Sequence, residues 1–181
     1  MKKLLAVFIL IAALCNPMDA QFVKNENYIG PSLGLYFYGS TPIFGLNFEH
    51  AMDTDLGDGI LGIGGIFRYW SWSTDEGYYY DQSWGWTYTD IMIGVQGNYH
   101  FKVGDGKLDP WAGLTLAYDA ASVKYKGPSG FNYSSPTSGG LFLGANAGAR
   151  YWFSKSMSVV ARIGLGTLSY SALDIGIDFR L

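Results

Sequence analysis

The chain of 181 residues holds one cysteine, Cys15, and charged residues make up only 15% of it. A single cysteine excludes a disulfide framework within the chain, so another source of stability is needed. The net charge is −3 and there is no basic tract, which argues against nucleic acid as a partner. No apolar run reaches the roughly 18 residues of a membrane-spanning helix, and no stretch shows helical periodicity. Zinc-type Cys/His spacings, phosphate loops and nucleophile elbows are missing too, so no cofactor or metal is expected.

What is present is distributed unevenly. Met1-Lys2-Lys3 precedes an apolar stretch from Leu4 to Leu14, broken by Asn16-Pro17 and followed by Met18-Asp19-Ala20. As a helix this stretch is about 16 Å long, short of a hydrocarbon core of roughly 30 Å. Residues 1–20 therefore read as a cleaved export signal, with 21–181 as one mature domain. Cys15 leaves with the signal on that cleavage. Leu14 stands where a lipoprotein box needs a small residue.

After residue 21 the sequence is rich in Gly (25 in the full chain) and aromatics (17%). Apolar residues recur at every second position in eight stretches: Tyr28–Gly39, Ile43–Met52, Gly59–Trp72, Trp86–Lys102, Asp109–Tyr125, Ser138–Phe153, Met157–Gly166 and Tyr170–Leu181. Three connections are short: Asp53–Asp58, Val103–Leu108 and Ser154–Ser156. On the other side two are long, Ser73–Gly85 and Lys126–Thr137, while Ser40–Pro42 and Thr167–Ser169 are tight. Short turns at one end and longer loops at the other predict an all-β, eight-stranded antiparallel up-and-down transmembrane β-barrel, with turns and both termini periplasmic.

Alternation alone does not say which face meets lipid, since a soluble barrel alternates with its apolar face inside. Residue type decides. One face carries series such as Ile91-Ile93-Val95-Tyr99-Phe101 and Leu173-Ile175-Ile177-Phe179-Leu181. The other carries Asp90-Gly94-Gln96-Asn98 and Gly144-Asn146-Gly148-Arg150. Gly and mixed charges suit a narrow lumen filled by side chains. Continuous apolar residues ending in Tyr and Phe suit a lipid-facing band with aromatic girdles.

At this point the sequence resembles the small outer-membrane β-barrel family, which includes the OmpA transmembrane domain, OmpX and the opacity-type proteins. The most specific segment is Asp174-Ile175-Gly176-Ile177-Asp178-Phe179-Arg180-Leu181. It is similar to the signal read by the barrel-assembly machinery, with Asp174, Gly176, Phe179 and Leu181 in the matching slots. The family often ends on an aromatic, whereas Leu181 is terminal here. Leu108–Leu114 and Gly148–Phe153 also look like family segments. The resemblance implies insertion into the bacterial outer membrane, lipid and lipopolysaccharide as surroundings, and a monomer. It does not imply an activity.

Isolated charges within the lumen must pair. The inward candidates are Glu49, Arg68, Asp90, Asp119, Arg150, Arg162, Asp174, Asp178 and Arg180, with Glu49, Arg68, Asp90, Arg150, Arg162 and Asp174 as the expected core of a network. Such a network plugs the lumen or, alternatively, lines a narrow ion path. The aromatic segment Trp70–Trp86 offers Tyr78, Tyr79, Tyr80 and Trp84 as candidates for contact with an extracellular ligand. Its tryptophans equally suit an interfacial girdle. Asp53–Gly59 resembles the start of a calcium loop but lacks the bidentate Glu, so an acidic turn is the better reading. His50 and His100 fall near periplasmic strand ends, away from where catalysis on an outer-leaflet lipid would need them, so no enzyme is expected. With the eighth strand at the end of this sequence, no cell-wall attachment of the OmpA type is expected. Envelope structure or surface adhesion through the outer loops, with a plugged lumen, is the expected role. The alternative is a narrow channel or OmpW-like transporter, to which inward Ile66, Met92 and Val160 give slight support.

Overall fold

The computed structural model describes residues 22–36, 41–54, 56–79, 82–104, 106–128, 139–166 and 172–181. Residues 1–20, expected as an export signal, Tyr80 and most of the segment after Lys126 lie outside them. Alternating sequence of this kind favours strands because successive side chains point to opposite faces. Eight strands form: β1 (Asn27–Tyr36), β2 (Pro42–Ala51), β3 (Ile60–Tyr79), β4 (Gln82–His100), β5 (Leu108–Lys126), β6 (Gly140–Trp152), β7 (Met157–Gly166) and β8 (Ala172–Arg180).

Each strand pairs antiparallel with the next, and β8 closes on β1 through pairs such as Tyr28↔Arg180 and Ser32↔Gly176. Closure leaves no open sheet edge, the condition for crossing hydrocarbon with strands. Leu181 N–H donates to the Asn27 carbonyl (2.9 Å), so the last residue is tied to the first strand.

Register fixes the two faces. Ile93, Leu114, Tyr118, Leu141 and Leu165 on the outside are each more than 60% exposed. The inside holds Glu49, Arg68, Asn98, Arg150 and Asp178, all nearly inaccessible. A soluble barrel would show the reverse. Gly clears the interior for these groups: a Cβ on Gly62 would run into the Glu49 carboxylate, and one on Gly64 into the Phe48 carbonyl.

The largest departure from the sequence expectation is the segment Ser73–Gly85. It was expected as a loop, yet β3 continues to Tyr79 and β4 starts at Gln82. Alternation persists there in polar guise. Ser71 and Ser73 hydroxyls meet Thr89 and Thr87 across the strands (3.0 Å each), and Trp72 stacks on Tyr88 with centroids 4.7 Å apart. Such cross-strand pairs hold a ladder together without an apolar face. A register shift enters only between Asp75 and Gly77. β5 ends at Lys126, opposite Gly85, within one residue of the expected Tyr125.

Candidate functional site

The lumen is layered along its axis. Near the end where the short turns and both described termini lie, the end expected to be periplasmic, Phe22, Tyr28, Ala51, Ile60 and Trp152 form a buried cluster. Toward the other end Ile43, Ile66, Trp70, Met92, Ala117 and Phe142 form a second, with Trp72 against it. Between them sits a two-tier ionic network.

The lower tier centres on Arg150. Its Nε donates to Asp178 Oδ2 and its Nη2 to Glu49 Oε2 (2.5 Å each), while Nη1 reaches Asp109 Oδ2 at 3.3 Å. His100 bridges the same two acids, Nε2 to Glu49 at 3.1 Å and Nδ1 to Asp109 at 2.8 Å. Asn98 donates to Glu49 as well (2.7 Å). Arg150 also lies about 5 Å from the ring centroids of Phe22, Tyr28 and Trp111. The upper tier joins Arg68 to Asp174 (2.8 Å) and to Asn47 Oδ1 (2.7 Å), which also accepts from Arg162 Nη1 (2.5 Å). Five strands are tied together by Arg150 and His100 alone. A guanidinium suits this role because its fork of donors meets several carboxylates at fixed angles.

Glu49, Arg68, Arg150, Arg162 and Asp174 are thus brought together. Asp90 is not: it lies above the network, diagonally across from Asp119 on the neighbouring strand, where the sequence reading expected a partner of opposite sign. The strand geometry explains this, because Asp90 is level with Trp70, one inward position beyond Arg68. Arg180 is half-buried at the periplasmic rim.

Three contributors were missed in the sequence. His100 was set aside as a poor catalytic candidate, although it shares the even-numbered inward series of Asp90, Gln96 and Asn98. Asp109 faces Arg150 directly in the β5–β6 register. Phe22 precedes the first strand, and no periodicity could place it. Its ring stacks on His100 (3.7 Å between centroids) and on Tyr28 (4.6 Å), closing the periplasmic mouth. Val23 N–H anchors the segment by donating to the Tyr28 hydroxyl at 2.7 Å.

A cavity of about 20 Å³ remains beside the upper tier, bordered by Arg68, Gln96, Thr115, Asn146 and Arg162. It is sized for a water molecule. The Gln96 amide and Arg162 Nε, which lack hydrogen-bond partners among the described residues, belong to side chains on its wall.

Among the aromatic candidates, Tyr78 is 81% exposed near the tip of the β3–β4 extension and Trp84 is half-buried. Tyr79 is described as backbone only, and Tyr80 lies outside the described residues. Of the terminal signal residues, Asp174 points inward to Arg68, while Phe179 and Leu181 face outward. A Cβ on Gly176 would meet the Pro31 carbonyl.

No protein-family profile and no curated protein sequence matches the chain. Solved structures do. A de novo designed transmembrane β-barrel matches with a TM-score of 0.54 at 15% identity, covering 89% of this chain and 99% of the design. The N-terminal β-barrel domain of Pseudomonas aeruginosa OprF gives 0.51 at 15%, covering 87% of this chain and 98% of its own. The Yersinia pestis outer membrane protein Ail, in a phospholipid bilayer nanodisc, gives 0.51 at 15%, covering 87% and 100%. At such identities the likeness establishes the fold, an eight-stranded barrel of the small outer-membrane type.

Proposed function

We propose that this chain is an integral outer-membrane barrel whose lumen is sealed and whose working surface is the outer extension of β3, β4 and β5, serving surface interaction. The observation that carries the reading is the change along the outward face of these strands. Up to Tyr69, Ile91 and Tyr118 the outward residues are apolar. Beyond them stand Ser71, Ser73 and Asp75 on β3, Thr89 and Thr87 on β4, and Ser122, Lys124 and Lys126 on β5. The apolar band thus ends while three strands continue into water for about 30 Å of chain at 3.3 Å per residue. A purely structural barrel has no need of such an extension, since short loops would close the strands. Ail, one of the structural matches, is described as an attachment invasion locus protein. The likeness is one of fold, so adhesion is this chain's own proposal.

The test uses cells displaying the intact chain and a variant in which residues 73–86 are replaced by a two-residue turn. Both should insert equally, judged by the gel-mobility shift on heating. Attachment to host cells or matrix should be lost in the shortened variant. Equal attachment by both would overturn the reading. In planar bilayers the intact chain should give little or no conductance, whereas large steady openings would favour the narrow-channel alternative.

A further inference from the structure

The cavity of about 20 Å³ beside the upper tier is bordered by groups from five successive strands: Arg68 on β3, Gln96 on β4, Thr115 on β5, Asn146 on β6 and Arg162 on β7. Gln96 and Thr115 are directly opposed, and Gly164, opposite Asn146, brings no side chain to fill the space. All five side chains are more than nine-tenths buried.

Donors are in surplus around it. Neither atom of the Gln96 amide has a hydrogen-bond partner among the described residues, and Arg162 Nε has none either. Thr115 Oγ1 accepts from Asn146 Nδ2 at 3.0 Å, which leaves its own O–H as a further donor. Buried donors left without an acceptor are costly.

Positive charge is in surplus as well. Arg68 Nη2 and Arg162 Nη1 both donate to one neutral oxygen, Asn47 Oδ1, at 2.7 and 2.5 Å. Asp174, the carboxylate of this tier, is bound to Arg68 at 2.8 Å. Glu49, Asp109 and Asp178 of the lower tier are held by Arg150, the first two by His100 as well. Arg162 makes no ion pair among the described residues and meets the face of Trp111 at 5.7 Å instead. A guanidinium cannot shed its proton inside a protein, so Arg162 keeps its charge. A buried charge needs a counter-charge.

A water molecule in the cavity would answer the donors but not the charge, and two guanidiniums repel a cation. The volume exceeds the roughly 10–15 Å³ that one water needs. It admits a monatomic anion, with no room for the further oxygens of sulfate, phosphate or a carboxylate. We propose that the cavity is a halide site, in which Arg162 Nε–H, the Gln96 amide N–H and the Thr115 hydroxyl hold a chloride ion between the two guanidiniums. Ile66 and Phe142 of the outer cluster also border it, so the ion is taken up as the barrel folds. This goes beyond the surface-interaction reading and does not rest on it, since a barrel can hold the ion with or without an adhesive outer sheet.

The experiment refolds the full chain from urea into lipid vesicles in sodium chloride, sodium bromide or sodium gluconate at equal ionic strength. The urea midpoint of unfolding should rise saturably with chloride or bromide relative to gluconate, as for a ligand that binds the folded state alone. Arg162→Met removes the charge that calls for the anion and should abolish the rise. Gln96→Leu keeps the charge, removes one donor and should shift half-saturation to several-fold higher halide. Folding of both variants is checked by the heat-dependent gel shift. Crystals of the intact chain refolded in bromide should show an anomalous peak between Arg162, Gln96 and Thr115, which decides the matter even if neither variant folds. Absence of that peak, with a light atom such as a water oxygen in its place, would overturn the proposal. So would a halide-dependent rise of the same size in Arg162→Met, which is a general salt effect on the barrel.

Discussion

Arg150 stands between three acids, and removing it is the sharpest test of how the lumen is held. Its loss leaves Glu49, Asp109 and Asp178 buried around a vacated centre. Breaking a buried ion pair from one side costs about 3–5 kcal/mol because the abandoned charge stays desolvated. Arg150→Met should therefore destabilise the barrel by about that much in urea unfolding from lipid vesicles. Adding Glu49→Gln to it should cost less than the two single changes summed, since the second removes a charge the first left unpaired. Glycines give a second contrast. A Cβ at Gly62 meets the Glu49 side chain, whereas at Gly97 nothing lies within 4 Å. Gly62→Ala should cost about 1–3 kcal/mol by overpacking a locked carboxylate. Gly97→Ala should be neutral or slightly stabilising in the same assay. Parity in the sequence was enough to place Glu49, Arg68, Arg150, Arg162 and Asp174 on one face. It said nothing of height along the axis, which is why Asp90 was grouped with arginines it does not reach. Height depends on strand stagger, and stagger is set by pairing between distant segments such as β1 and β8.

Strands β3, β4 and β5 exceed what a membrane requires, since about 9–11 tilted residues span the hydrocarbon. Their outer halves are a three-stranded sheet with β4 in the middle, hydrogen-bonded on both sides from Gly85 to Asp90. Hydroxyl pairs occupy one face and aromatic pairs, Trp72 on Tyr88 and Trp86 against Tyr125, the other. Amides of residues 85–90 should accordingly exchange slowly with deuterium, at rates comparable to those of the membrane-embedded part of β4. Exchange within seconds, as in an open loop, would contradict the sheet. The sequence showed this element as far as Trp72 and from Trp86 but concealed its outermost part, because Ser73-Thr74-Asp75-Glu76-Gly77 is polar or small at every position and Tyr78-Tyr79 aromatic at both, with no alternation to mark a strand. Cross-strand pairing supplied the stability instead, and pairing partners cannot be read from one strand alone.

Taken whole, the lumen holds three layers in series, which on the sealed-lumen proposal act as three barriers: the outer cluster around Met92 and Phe142, the ionic network, and the periplasmic cluster completed by Phe22. Alternation and composition already pointed to a filled lumen, but the last barrier comes from outside the strands. Series barriers have a testable signature. Phe22→Ala removes a ring stacked on His100 and opens the lower mouth, yet the Arg150 network still blocks the way. Met92→Ala/Phe142→Ala hollows the upper seal and also leaves that network intact. Neither variant should conduct in planar bilayers, although truncating buried Met and Phe side chains costs about 2–5 kcal/mol each and should lower the midpoint of unfolding. Replacing Glu49 and Arg150 of the lower tier together with Arg68 and Arg162 of the upper tier by Ala, in the background of all three, should produce steady, cation- and anion-permeable openings, because water can then follow an unbroken path through the lumen. If Phe22→Ala alone conducts, the network is no barrier and the periplasmic ring is the only gate. If the combined variant stays silent while folded, closure comes from the backbone radius of eight strands, and the side chains inside set stability without setting permeability.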